Sequence, residues 1–580
     1  MTALPIHAVL PDLLAALRAR SSAVLVAPPG AGKTTAVAPA LLAEPWCTGE
    51  VLVTSPRRLA ARAAAERMAV LADEPVGRTF GYATRLDSKR SAATRVTVVT
   101  EGILTARLQA DPELSGVSAI LFDEIHERSL DGDFGLALAL DAQAGLRPDL
   151  RVVAMSATLD GARFAALMDD APVVESAGRS YPLTLRHLGR ATEVRIEQAM
   201  AGAIRQALAQ EEGGVLAFLP GVAEIERTAT ALGDLPGVTL HRLHGSLDPA
   251  AQRAAIRAEP DGARKLVLAT SIAETSLTLD GIRVVVDSGL ARRPRYDRAA
   301  GMTRLVTERE SQAAATQRAG RAARQGSGVA YRLWEEAATA GMPRFDPPEI
   351  LEADLSALLL ATAIWGVADP RDLRWIDPPP EAAIQEARAR LKALGALDAD
   401  GRPTPHGRQI AAMPMAPRLA HMLLAAPDKR LAADIAVLLQ ERGLGGPDAD
   451  LEVRLRRWRG EHRPRRARRR RRGRAGARQS AQGPHPVRRG VSGQSRIGQG
   501  ADQLRLRLSG RRGKLVGRPR RAGADLDLPA PDALRRRGAR NPAAVGQRVI
   551  AAALVVVVGG RPMWRLGLDD RFAADQRRRV

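Results

Sequence analysis

The sequence predicts an α/β fold: two parallel-sheet domains in tandem, then a helical module and a basic tail. Three observations lead there. Between residues 20 and 160, short β-branched runs alternate with longer Ala/Leu/Arg stretches of helical character, the pattern of a parallel sheet with helices on both faces. The alternation restarts after about residue 180. From residue 344 apolar residues recur at helical spacing, and from about 460 that periodicity gives way to arginine, glycine, glutamine and proline.

The first domain should take its strands from Val24-Leu25-Val26, Val51-Leu52-Val53, Val96-Thr97-Val98-Val99, Ile120-Leu121-Phe122 and Val152-Val153-Ala154. Those of the second are Val215-Leu216-Ala217-Phe218, Leu266-Val267-Leu268 and Val284-Val285-Val286. The cleft between two such domains is a natural ligand site. Residues 344–455 read as mostly helical, from Ile350 through Leu360 and again from Ala382 to Leu394, punctuated by Pro347-Pro348 and Pro378-Pro379-Pro380. Domains are expected over 1–177, 178–343 and 344–455, with the tail from 456.

Bulk charge misleads. The chain carries a net charge of +23, but residues 451–580 hold 36 Lys+Arg against 9 Asp+Glu, a net of +27, and residues 1–450 hold 51 against 55, a net of −4. Basicity is therefore no argument for nucleic-acid binding by the folded part. One cysteine, Cys47, excludes an internal disulfide framework and fits a reducing, cytoplasmic setting. No signal peptide is legible at the N-terminus, and the apolar run Val549 to Val558 is too short to span a bilayer. Two readings of the tail compete. The arginines of 463–478 would form a disordered arm that binds nucleic acid through counterion release, or the tail is an out-of-frame translation of a GC-rich gene. The abrupt shift to Arg, Ala, Gly and Pro favours the second.

Chemistry concentrates in four places. Ala27-Pro28-Pro29-Gly30-Ala31-Gly32-Lys33-Thr34-Thr35 follows a strand and opens a helix, the context of a phosphate-binding loop. Its glycines admit phosphate oxygens to backbone N–H groups, Lys33 would reach the β- and γ-phosphates, and Thr34 would ligate Mg²⁺. Such a loop needs a further carboxylate on a neighbouring strand, and Asp123-Glu124-Ile125-His126 provides it. Asp123 would hold Mg²⁺, Glu124 would orient and deprotonate the attacking water, close enough to join the metal set, and His126 would link to the second domain. Ser156-Ala157-Thr158 reads equally as a strand-end turn and gains weight only from its place in the order. Gln317-Arg318-Ala319-Gly320-Arg321-Ala322-Ala323-Arg324 would set Arg321 and Arg324 on one helical face, three apart, fit for bidentate contact with phosphate.

Order and spacing together resemble the DEAH-type helicases of superfamily 2, and most closely their bacterial HrpB-type branch, over residues 1–455. Further segments carrying the resemblance are Ser55-Pro56-Arg57-Arg58-Leu59-Ala60-Ala61, Thr100-Glu101-Gly102-Ile103-Leu104, Leu243-His244-Gly245 and Thr270 through Thr278. The resemblance implies two RecA-like domains with ATP and Mg²⁺ in their cleft, single-stranded nucleic acid across their top (RNA before DNA), and a winged-helix and helical-bundle module over 344–455. It implies that Arg57, Arg58, Thr100, Glu101, Gly102 and Thr270 face the strand, that Gln317, Arg321 and Arg324 meet the γ-phosphate, and that Ser156, Thr158 and the segment Thr275 to Gly281, with Asp280, couple nucleotide state to grip. Arg67 matches an arginine that stacks on adenine, while its usual aromatic partner is replaced by Ile256, so other NTPs could be accepted. Relatives of this type continue into a further folded domain, which the tail does not resemble.

The function expected is that of an ATP-dependent helicase or translocase with no membrane part. The rivals are a nucleic-acid-stimulated NTPase that remodels ribonucleoprotein without unwinding, and a non-catalytic truncated binding protein.

Overall fold

The computed structural model describes residues 4–460 apart from positions 29, 86, 158–159, 178–180, 192, 258, 260–261, 275–278, 299–300, 441–445 and 447–449. Pro29, Thr158, Thr275 and the tail beyond 460 lie outside the described residues. The compact unit that holds both sheets runs through Arg442. Gly443 begins a second unit, in which Leu451–Trp458 is a helix.

The first sheet has eight strands: β1 (Ser22–Val26), β2 (Glu50–Ser55), β3 (Phe80–Ala83), β4 (Ser88–Lys89), β5 (Val96–Thr100), β6 (Val117–Phe122), β7 (Arg151–Ser156) and β8 (Val173–Glu175). Their order is β4-β3-β5-β2-β6-β7-β1-β8, parallel except for the β3–β4 pair. The second sheet draws on β9 (Leu183–His187), β10 (Gly214–Phe218), β11 (Val238–Leu243), β12 (Arg264–Ala269) and β13 (Ile282–Asp287). A separate antiparallel hairpin follows, β14 (Leu290–Asp297) and β15 (Met302–Arg309), before β16 (Gly328–Arg332) completes the second sheet in the order β11-β12-β10-β13-β16-β9. All eight strands expected from sequence are present. They are the central ones, buried on both faces, and so read as continuous apolar runs.

Strands not foreseen are the edges β4, β8, β9 and β11, the interior β3 (Phe-Gly-Tyr-Ala) and β16 (Gly-Val-Ala-Tyr-Arg), and the charged hairpin, whose Leu-Ala-Arg-Arg-Pro-Arg-Tyr-Asp strand has no apolar alternation. It is held by eight paired positions from Leu290↔Arg309 to Asp297↔Met302.

The helix Leu130–Gly145 is buried along nearly all of its length. It reads as apolar all round because it is covered twice, by the first sheet and by the helical module. That module runs from Glu349 to Gln440, with helices Ser356–Trp365, Glu381–Ala393, Pro405–Ala411, Pro417–Ala425 and Lys429–Gln440. Ile350, Leu358, Leu359 and Leu391 join the same core as Phe122, Phe134 and Leu138. The Phe134 and Trp375 rings stack at 6.1 Å, and the Trp365 indole donates to Asp141 at 2.7 Å. The hairpin reaches the module as well: Arg418 donates to the Gly301 carbonyl at 2.5 Å and Arg390 lies 5.3 Å over the Tyr296 ring. No helix among the described residues is long and apolar enough to cross a membrane.

Candidate functional site

Register brings the first two motifs together. Val26 pairs with Ser156 and Phe122 with Ala154, so β1, β7 and β6 end at one edge, the carboxyl edge where open α/β sheets bind ligands. One detail differs from the expectation. β7 lies between β1 and β6, so the carboxylates come from the next strand but one and not from a neighbour. The reach is still short: the Thr34 hydroxyl donates to Asp123 Oδ2 at 2.5 Å. Gly30 and Gly32 have φ of +86° and +98°, conformations that cost other residues dearly. The turn is buttressed from outside the motif, where Ile6 is fully buried and its N–H donates to the Ala31 carbonyl at 3.3 Å. Lys33 opens the helix Lys33–Leu41, is buried, and donates to the Ala27 carbonyl at 2.6 Å.

Asp123 and Glu124 are both buried. Burial, and then the charge of Glu124, push the Asp123 carboxyl up to about 7, against Lys33 and Thr34. Burial would raise Glu124 too. Lys33, His126, Arg324 and Arg321 outweigh it and hold the carboxyl down at about 2. Glu124 is thus ionised, placed by a left-handed backbone (φ 54°) at the strand end. An acid this strong orients a water better than it deprotonates one, and an incoming polyanion would raise its basicity.

The second domain closes the site. A Cβ placed on Gly30 would lie 3.9 Å from Cδ and Nε of Arg324. Arg321 Nε donates to the Glu274 carbonyl at 2.8 Å. Burial, and then the neighbouring Arg324, lower the proton affinity of Arg321. Burial brings Arg324 down to about 10. The two arginines lie past the α-helix that was expected to carry them, and both act on Glu124. The helix Gln312–Gly320 ends before them, and Arg321, Ala322 and Ala323 donate to carbonyls three residues back in a tighter turn. His126 bridges the domains. Its Nδ1 accepts from the Ala157 N–H at 3.2 Å, and its Nε2 lies 3.0 Å from the Gln317 amide. Burial keeps the ring below its ordinary pKa. With Nδ1 accepting, the ring proton sits on Nε2 and is donated to Gln317 once that amide presents its oxygen. Ser156 is fully buried under this bridge. Gln325 holds the remaining coupling candidates, accepting from the Gly281 N–H at 3.0 Å and donating to Asp280 at 3.3 Å.

The residues expected to face a strand have mixed surroundings. Ser55 pairs with Thr100, so Arg57 and Thr100 emerge at adjacent strand ends. Arg58 and Gly102 are exposed, whereas Thr100 and Thr270 are half-buried. Arg57 spans the domains, donating to Glu127 at 3.2 Å and to the Ser271 carbonyl. Arg67 is exposed on the helix Arg58–Leu71, and Ile256 ends the helix Pro249–Ile256. Glu101 points inward, accepting from Ser129 at 2.6 Å. Its burial raises the carboxyl to about 8 from an ordinary 4.5. The folded chain keeps that proton up to about pH 8, while the unfolded chain loses it near 4.5. Stability therefore falls as pH rises across that window. Glu101→Gln should match the parent at pH 4 and melt progressively higher than it from pH 5 to 8. Parallel melting curves at all pH values would show that Glu101 is ionised in the fold.

Residues 7–166 match the DEAD/DEAH box helicase family and residues 199–326 the helicase conserved C-terminal domain. The chain is 46% identical over 446 residues to the ATP-dependent RNA helicase HrpB of Escherichia coli (strain K12), covering 76% of this chain and 55% of that protein. The chain belongs to the DEAD/DEAH box helicase family. It is also 32% identical over 439 residues to the probable ATP-dependent RNA helicase DHR2 of Saccharomyces cerevisiae, covering 73% of this chain and 60% of that one. The crystal structure of the Escherichia coli DEAH/RHA helicase HrpB superposes with a TM-score of 0.73 at 44% identity, over 78% of this chain and 60% of the other. The two parallel sheets are thus RecA-like helicase domains. This helicase-family chain spans 33–60% of the length of the curated relatives it matches.

Sequence reading missed a second group in the site. Arg318 is fully buried and meets Glu274 at 3.2 Å, Asp287 at 3.1 Å and Glu310, with the Phe218 ring 5.0 Å beneath it. Arg318 was visible as the second residue of its motif. Its acidic partners come from three separate segments that no local spacing connects.

Proposed function

We propose that the chain binds and hydrolyses ATP between its two RecA-like domains and couples the cycle to movement on, or unwinding of, single-stranded nucleic acid, RNA before DNA. One observation carries the reading: Thr34 bonded to Asp123 in one domain, with Arg324 of the other domain lying over Gly30. A site split between two domains can feel nucleotide state as domain closure. Lys33, now held by the Ala27 carbonyl, would turn to the β- and γ-phosphates. Two buried guanidinium groups close enough to repel favour an incoming polyanion.

A hydroxyl and a carboxylate oxygen in contact suit Mg²⁺, which prefers hard oxygen ligands and keeps several waters, so that Thr34 and Asp123 suffice beside phosphate. Bound there, Mg²⁺ would neutralise phosphate charge. Glu124 would orient the attacking water, and Arg321, Arg324 and Gln317 would meet the γ-phosphate. The preference for RNA rests on the relatives, which are named as RNA helicases, and a cytoplasmic setting rests on the single cysteine.

The test is phosphate release by the full chain with and without single-stranded RNA and DNA, beside a strand-displacement assay. RNA should stimulate more than DNA, and duplexes should separate only with ATP. Absence of ATPase with either strand would end the reading. Stimulated ATPase without displacement would move it to ribonucleoprotein remodelling.

A further inference from the structure

One partner of Arg318 also holds Arg321, an arginine of the nucleotide cleft. Its Nε donates to the Glu274 carboxylate at 3.2 Å, and the carbonyl of that same Glu274 accepts from Arg321 Nε at 2.8 Å. Its Nη1 donates to Asp287 at 3.1 Å and to the Leu290 carbonyl at 3.3 Å, and it pairs with Glu310. Asp287 ends β13, Leu290 begins β14, and Glu310 follows β15 directly. The Glu310 N–H donates to the Gly289 carbonyl at 3.1 Å, so both stems of the hairpin meet at this cluster. Ser311 then caps the helix Gln312–Gly320, accepting from the Ala314 N–H at 3.1 Å. One planar guanidinium thus ties the Glu274 segment, the hairpin root and the helix leading to Arg321 into one body. A lysine could not reach the same set, because its donors sit on one nitrogen, whereas Arg318 meets Glu274 through Nε and Asp287 and Glu310 through Nη1.

We propose that Arg318 is a positioning residue, which holds Arg321 in its phosphate-facing place through Glu274 and locks that place to the root of the β14–β15 hairpin. The inference rests on the proposed ATPase. Such a contact should act on the transition state more than on nucleotide binding, and its loss should lower kcat and spare KM. Arg318→Lys in the full chain is expected to lose at least tenfold in kcat with KM for ATP within twofold. Glu274→Ala cuts the same link from the other side and leaves Arg318 two acids, so it carries the test should Arg318→Lys fail to fold. It should show the same split.

The deciding measurement is a double-mutant cycle, since residues acting through one another are not additive. Glu274→Ala with Arg321→Ala should be no slower, within twofold, than Arg321→Ala alone. Rates that fall by the product of the single effects would overturn the proposal. So would parental kcat in folded Arg318→Lys or Glu274→Ala beside a slow Arg321→Ala. Parental kcat in Arg321→Ala itself would overturn the role given to that arginine, and with it the proposal, which separates the two failures.

Discussion

Glu124→Gln is expected to bind ATP and scarcely turn it over. Glutamine matches glutamate in size and can keep the left-handed backbone at φ 54° no worse than the parent residue does. What it lacks is the negative charge that in the proposed mechanism would orient a water for attack, a contribution on the order of 10²–10⁴-fold in rate. Binding should survive for an electrostatic reason. Glu124 is the anionic counterweight to Lys33, Arg324 and Arg321. Removing its charge leaves a more positive cleft, and a triphosphate should bind as tightly or more so. Titration with a fluorescent ATP analogue, beside phosphate release, reads the two quantities separately. Parental turnover would remove Glu124 from the chemistry.

Arg128→Met should be the most damaging change outside the cleft. Arg128 is buried and meets Asp133 at 2.9 Å and Asp377 at 2.6 Å, while its carbonyl accepts from the Glu349 N–H at 3.0 Å. It thus joins the first RecA-like domain to the helical module. Burial already raises Asp133, with the Arg128 contact opposing it. Removing one partner of a buried ion pair strands the other and costs about 3–5 kcal/mol. The loss should appear as an earlier first transition in a urea scan, with the module released before the sheets melt. Adding Asp133→Asn should recover part of it by removing the stranded charge. An unchanged first transition would mean that the apolar contacts around Phe134 and Trp375 hold the module without this pair.

The buried central strands were legible because a parallel strand covered on both faces must be apolar throughout, as in Ser-Ala-Val-Leu-Val of β1. The edge strands, the interior β3 and β16 and the charged hairpin were not, since their short or polar runs pair through their partners and not through composition. The phosphate loop was legible for a local reason: Gly30, Gly32, Lys33 and Thr34 act within one turn. The placement of Arg321 and Arg324 was legible only in part. Their residue type marked them, but the helix was expected to carry them and ends at Gly320.

Backbone conformation and motif chemistry are written in neighbouring residues, and for that reason the two-sheet α/β architecture, the phosphate loop, the acidic tetrapeptide and the family are all readable along the chain. Which groups share a charge environment emerges on folding. Asp123 rises and Glu124 falls although they are adjacent in the chain, because burial and Lys33 act on both while the charge of Glu124 adds to the rise of the first and His126, Arg324 and Arg321 crowd only the second. Glu101 turns inward to Ser129. Arg318 gathers Glu274, Asp287 and Glu310 from segments up to 36 residues apart. Coulomb energy and desolvation depend on distance through space, and folding alone fixes that distance.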